Sequence, residues 1–212
     1  MSAMVEDELA NMPEGKRKLV VAALKIAARD GTPLNSLGLR ELAREADLNH
    51  NTFYRHFEDL DDLARSTIEL IAQTIIEEMR HIRTQARTTA DATEGVVNFF
   101  LELVLKNPDA FAVGVRELNT VSSPLRPMLL KVIDKIAQQS VEQIRHGQLV
   151  AVKDDSVLLE VARDITVQMF NAAVPLLRAP AKKQSIAQAL VNSIRRQFLG
   201  AMALESLLPP KA

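Results

Sequence analysis

This chain predicts an all-α fold, on three observations. Ala, Leu, Glu and Arg are frequent while there are only 7 Gly, 7 Phe, 1 Tyr and no Trp, so the composition favours residues that cost little in a helix. Apolar residues recur at 3/4 spacing in one segment after another, the mark of a helix with one buried face. No stretch alternates apolar and polar residues as a half-buried strand would.

Taken in order, residues 1–13 are polar and acidic and read as a disordered leader. A helix is expected over 14–30, with Leu19, Val20, Ala23, Leu24 and Ala27 as its buried stripe and Gly31-Thr32-Pro33 as its stop. Lys16, Arg17 and Lys18 fall in its first turn, where the helix dipole disfavours cations. They either approach a phosphate or form a solvated charged end.

Two short helices joined by a tight turn are expected over 38–57. In the first, Leu39, Leu42, Ala43 and Ala46 share a face, Gly38 takes the N-cap and Glu41 is placed to reach back to it. The break falls at Asp47-Leu48-Asn49. Asn49 is a good N-cap for the second helix, and Leu48 with Phe53 forms a hydrophobic staple. Over 50–57, Phe53 and Phe57 lie four apart and anchor inward. That leaves His50, Asn51, Thr52, Tyr54, Arg55 and His56 on the other sides. A surface of hydrogen-bonding groups with one fixed charge suits the major groove, where base edges and flanking phosphates offer partners.

Glu58, Asp59, Asp61 and Asp62 raise the thought of a metal, but acids belong in the first turn of a helix. That helix is expected over 59–85, with Leu63, Ile68, Ile71, Ile75, Ile76, Met79 and Ile82 apolar, followed by a linker at 88–93. The next, over 92–106, is apolar nearly all round and so buried on several sides. Asn107-Pro108 supplies an N-cap and a first-turn proline for a helix to about 118. After a loop over 119–127, a helix over 125–146 ends near Gly147, a natural C-cap. The last two helices are expected over 154–178, where Pro175 invites a kink, and over 182–207, stopped by Pro209-Pro210.

At 212 residues the chain can bury a sizeable core. It has no cysteine, which excludes a disulfide framework and thiolate chemistry. The N-terminus lacks the layout of a signal peptide, and no apolar run approaches the ~18 residues of a membrane span. No membrane association and a cytoplasmic location are expected. The net charge is −1, but residues 16–57 carry eight Lys/Arg against four acids, a local +4 against −5 elsewhere. A local positive excess beside a helix-turn-helix is what a phosphate-facing module needs.

The run ELAREADLNHNTFYRHF followed by EDLDDL resembles the helix-turn-helix of the TetR family of bacterial repressors. The string Thr52-Phe53-Tyr54-Arg55-His56-Phe57 is close to that family's most recognisable one, and the resemblance covers about 16–63 directly. The later Asn107-Pro108-Asp109-Ala110-Phe111 resembles the branch regulating fatty-acid synthesis and desaturation, the FabR- and DesT-like repressors. The resemblance implies a nine-helix TetR-type fold, with a helix-turn-helix head at 14–60 and a C-terminal helical bundle for ligand binding and dimerisation at 61–212. The implied DNA-facing set is Lys16, Lys18, Leu39, Arg40, Asn49, His50, Asn51, Thr52, Tyr54, Arg55 and His56.

Two positions depart from the family. Asp47 stands where glycine is common and positive φ is often needed, which Asp tolerates at some cost. Leu60 stands where many relatives carry a phosphate-touching lysine. His50 and His56, six apart on a helix, face different ways and make no metal pair.

The resemblance places a four-helix dimer interface on the last two helices, here Val157, Val161, Ile165, Ile186, Leu190, Ile194 and Phe198. The other reading of these residues is an intramolecular pair. A single short recognition helix reads too few bases alone, which favours dimerisation. Phe99, Phe100, Leu103, Phe111, Val115, Val132, Val167 and Phe170 either line an apolar ligand tunnel or form plain core. Arg116 either meets an anionic head group or pairs with a neighbouring acid.

The function expected is a homodimeric, ligand-controlled DNA-binding repressor. Each recognition helix enters a major groove of a palindromic operator. The effector expected is an acyl-CoA or fatty acid, with no cofactor and no metal. The alternatives are a TetR-type regulator of efflux or catabolic genes answering to another hydrophobic molecule, and an all-helical carrier that binds no DNA. An enzyme is not expected, because no HExxH pair, phosphate loop or Ser/His/Asp set at a telling spacing is present.

Overall fold

The computed structural model describes residues 12–207, which form nine α-helices and no strand. They are α1 (Glu14–Asp30), α2 (Leu39–Glu45), α3 (His50–Phe53), α4 (Leu60–Gln85), α5 (Thr89–Lys106), α6 (Pro108–Asn119), α7 (Arg126–His146), α8 (Asp155–Arg178) and α9 (Lys183–Leu207). Most of the expected leader and the expected stop at Pro209-Pro210 lie outside the described residues. The chain divides into two compact units, 12–74 with 103–132 and 75–102 with 133–207. The division does not follow the boundary expected at residue 60, because 103–132 clusters with the N-terminal segment.

In the first unit, α1 packs against α2, α3 and α6. It buries Leu19, Val20, Ala22, Ala23, Ile26 and Ala27; of the expected stripe Leu24 is only half-buried, and Ala22 and Ile26 are added. Gly31 ends it with φ 69°, a left-handed conformation that costs glycine nothing. Arg116 on α6 secures that end. Its Nη1 donates to the carbonyl of Ala27 at 2.9 Å and its Nη2 to that of Thr32 at 3.0 Å. Its Nε and Nη2 also donate to Glu117 Oε1 at 3.1 and 2.7 Å. Glu117 is buried and accepts from Ser123 Oγ at 2.6 Å through its other oxygen.

In the second unit, α8 and α9 pack together. Ile144, Val152, Leu158 and Ala201 form a buried cluster, with Val157, Val161, Phe198 and Met202 packed against it. Asp154 caps α8 by accepting from Ser156 N at 2.8 Å. Glu205, late on α9, accepts the backbone N–H groups of Lys153 and Asp154, each at 2.8 Å. These are donors that the start of a helix leaves without a partner. Arg145 gathers the same loop, donating to the carbonyls of Val152 and Lys153 and to Asp155 Oδ1.

Several local expectations are corrected. α3 stops at Phe53 rather than 57, and 54–56 is a turn closed by His56 N to the Phe53 carbonyl at 2.9 Å. Gly38 caps α2 with no side-chain bond, because Glu41 is taken by Arg29 Nη2 at 2.8 Å. The linker expected at 88–93 is mostly helix, since α5 starts at Thr89. Asn107 does not cap α6; its Nδ2 donates back to the Leu103 carbonyl, closing α5. After α7 the left-handed residue is Gln148 at φ 49°, not Gly147. The span expected for α8 stands, since it runs to Arg178 with Pro175 inside it.

Candidate nucleic-acid interface and cavity

The turn between α2 and α3 is built as its residues demand. Asp47 takes φ 53° and its N–H reaches the Arg44 carbonyl at 3.2 Å, while Leu48 N reaches that of Ala43 at 2.9 Å. Asn49 then caps α3, its side chain accepting from Asn51 N at 2.9 Å. Phe53 and Phe57 are buried, with ring centroids 5.7 Å apart. Because these two rings fix the back of α3, its other sides are presented outward.

Tyr54 is 57% exposed and is held at the edge of both Phe53 (5.4 Å, 88°) and His50 (5.8 Å, 67°). Asn49, Asn51 and Arg55 are exposed, while His50, Thr52 and His56 are half-buried. The side chains of Asn51, Tyr54 and Arg55 have no hydrogen-bond or ion-pair partner among the described residues. His56 is committed further back, because a Cβ on Gly15 would stand 2.5 Å from its Nε2. The imidazole therefore lies against the first turn of α1.

The cations of residues 16–57 sort into two groups. Lys18 pairs with Glu14 at 3.0 Å, Lys25 with Glu45 at 2.5 Å, and Arg29 with Asp30 and Glu41. Lys25 holds the Glu45 carboxyl below its ordinary range, chiefly through that hydrogen bond. Arg17, Arg40, Arg44 and Arg55 form no ion pair among the described residues, and Lys16 sits over the Phe57 ring at 5.1 Å. Leu39, expected at the interface, is half-buried beside Arg40 at the start of α2.

The acids after the helix-turn-helix serve the start of α4. Asp59 Oδ1 accepts from Asp62 N at 2.8 Å, Asp62 Oδ2 accepts from Glu58 N at 3.2 Å, and Asp61 accepts from Asn35 Nδ2 at 2.8 Å. The first bond caps α4, and the second ties Asp62 back to the residue before that cap. No group of three His, Asp or Glu among the described residues is placed to hold a metal ion.

The second unit contains a cavity of about 50 Å³. Met79, Val96, Ile144, Met169 and Phe198 supply apolar walls, and Arg83 and Ser140 bring polar groups to it. None of the nine predicted ligand residues lines this cavity. Phe99, Phe100, Val167 and Phe170 belong to the second unit, with Phe100 and Phe170 in edge contact at 5.5 Å. Leu103, Phe111, Val115, Arg116 and Val132 belong to the first. Four of the five N–H groups of Arg116 are spent on α1 and Glu117, which leaves little for a head group. Leu190 and Ile194 are each 4% exposed within a single chain, so neither can face a partner chain. Ile165, Ile194 and Phe198, expected at a dimer interface, line the cavity. Val157 and Val161 pack on the buried cluster of their own chain, and Ile186 is half-buried.

Sequence reasoning missed Arg83, although a signal existed. Ala72, Ile75, Ile76 and Met79 are the buried stripe of α4, and Arg83 continues it one turn on. A charge on a buried stripe is the departure worth marking.

No family model matches the chain. Solved structures do match its fold. A fatty acid degradation regulator FadR from Bacillus halodurans superposes with TM-score 0.70 at 15% identity, covering 85% of this chain and 96% of that one. The regulator SCO4454 from Streptomyces coelicolor gives TM-score 0.65 at 17% identity, covering 95% and 96%. This is the TetR-family fold. A FadR from Bacillus subtilis, solved in complex with stearoyl-CoA, shares it with TM-score 0.61 at 17% identity over 82% and 96% of the two chains. The solved proteins that share this fold here are regulators. No helix among the described residues is long and apolar enough to cross a membrane.

Proposed function

We propose that this protein is a homodimeric DNA-binding transcriptional repressor whose operator affinity is set by a hydrophobic effector. One observation carries the reading. Asn51 on α3 and Tyr54 and Arg55 in the turn after it project outward, with Phe53 and Phe57 buried behind them, and nothing inside the described chain takes up their polar groups. Polar groups held in fixed positions and left open are what base edges and phosphates require. Arg17, Arg40 and Arg44 supply further unpaired charge for the backbone of the duplex.

Dimerisation follows from the size of the reading head. A recognition helix of four residues meets too few base pairs for specific binding, and two heads on a palindrome double the contact. The contact with the partner falls on the outer face of α9, where Leu199, Leu204 and Leu207 are 61%, 60% and 79% exposed. Three large apolar side chains on one helix end are an unusual amount of water-facing surface for a lone chain. The FadR structures, one bearing stearoyl-CoA, support a lipid-derived effector and a role in fatty-acid metabolism.

The test is a gel shift on the DNA upstream of the protein's own gene across a salt series. Sequence-specific binding that weakens steeply with salt is expected, because released counterions drive it. Tyr54→Ala should weaken it at least tenfold and leave thermal stability unchanged, since the ring is exposed. Absence of specific binding by the wild type defeats the reading.

A further inference from the structure

The cavity of the second unit joins apolar walls to a cation that no acid answers. Arg83 lines it, and the sole partner of its guanidinium among the described residues is the neutral Oε1 of Gln143, at 2.5 Å from Nη1. Four of its five N–H donors are left. The amide nitrogen of that same Gln143 is buried with no partner. Ser140, 6% exposed, lines the same cavity, and its hydroxyl has no partner among the described residues. The other hydroxyls at the site are committed. Thr166 donates to the Ala162 carbonyl, Thr93 to that of Thr89, and Thr89 to that of Leu149.

Native interiors pair their buried polar groups, so the open donors of Arg83 and Ser140 at one cavity ask for an acceptor from outside. Burial works against the charge on Arg83 and pushes its pKa down to about 10, which still leaves it a cation at neutral pH. A charge held in a poorly solvated place is stabilised by an opposite one far more than a surface charge would be. The cavity holds room for roughly three to five water molecules as it stands. That is enough for a carboxylate and the first few carbons of a chain.

We propose that this cavity binds an apolar monocarboxylate, its anion received by Arg83 with Ser140 and its chain set among Met79, Val96, Met169 and Phe198. The inference rests on the effector reading above and moves the site from the residues expected for it to Arg83. A guanidinium favours a carboxylate over a neutral analogue because it can donate two parallel hydrogen bonds to it.

Isothermal titration calorimetry on the full chain tests this, with butanoate, hexanoate and octanoate each compared with its primary amide. Carboxylates should bind at least tenfold more tightly than amides. Arg83→Met should abolish that preference while the protein stays folded, and Arg83→Lys should keep part of it. If Arg83→Met does not fold, the acid-against-amide comparison on the wild type still decides. Equal binding of acid and amide, unchanged octanoate binding by Arg83→Met, or no binding of any carboxylate overturns the proposal. A parallel gel shift with ligand-free wild type separates the two readings. Intact DNA binding with no carboxylate binding removes only this inference, whereas carboxylate binding with no DNA binding removes the regulator.

Discussion

Arg116 and Gly15 show how single residues shape the packing of the first unit. Arg116 ties the end of α1 to α6 while neutralising the buried Glu117. Arg116→Met leaves that carboxylate buried with only Ser123 to answer it. Breaking a buried pair costs about 3–5 kcal/mol. The guanidinium is 31% exposed, so a loss of roughly 2–4 kcal/mol is expected after screening. Urea unfolding would measure it, and a loss under 1 kcal/mol would refute the clamp. At Gly15 the restriction is contact. A methyl there would meet His56 at 2.5 Å, so Gly15→Ala must displace the imidazole. The atom met is the tip of a half-buried side chain that can swing aside, and alanine suits a helix better than glycine, so stability should change by less than about 1 kcal/mol. DNA affinity should fall as the imidazole is displaced, and a double-mutant cycle with His56→Ala would read that coupling.

At the scale of elements, the start of α8 depends on α9. Glu205 accepts the N–H groups of Lys153 and Asp154, and those two bonds hold its carboxyl below the ordinary range. A carboxylate with a depressed folded pKa contributes stability above its unfolded pKa, and loses it as pH falls through the folded value. Glu205→Gln should therefore be less stable than wild type at neutral pH, and the gap should close in acid. Denaturant midpoints from pH 7 to pH 3 would check this; a gap constant with pH would contradict it. The elements were largely legible in the sequence, because 3/4 spacing reports a buried face directly. The start at Glu14, the Asn49 cap and the left-handed Asp47 follow from local chemistry. What was not legible depended on distant partners. Glu41 is recruited by Arg29 on another helix, so the local capping box never forms. Leu190 and Ile194 show the same limit, since an apolar stripe does not say whether its cover is the same chain or another.

For the whole molecule, the fold was carried by one motif and by helix count, and both point to the TetR-family fold. The exposed polar face of Asn51, Tyr54 and Arg55 was legible because residues opposite a buried aromatic anchor are left facing outward. The cavity was not, because side chains from segments far apart in the chain meet there and only Arg83 breaks pattern.

The measurement that tests the central claim most directly is selection from a pool of random duplexes. The wild-type protein should enrich a palindrome with half-sites about one helical turn apart, and Tyr54→Ala should enrich none. A wild type that enriches nothing, or a Tyr54→Ala variant that enriches the same palindrome equally well, would contradict the claim that the exposed face of α3 and its turn reads DNA.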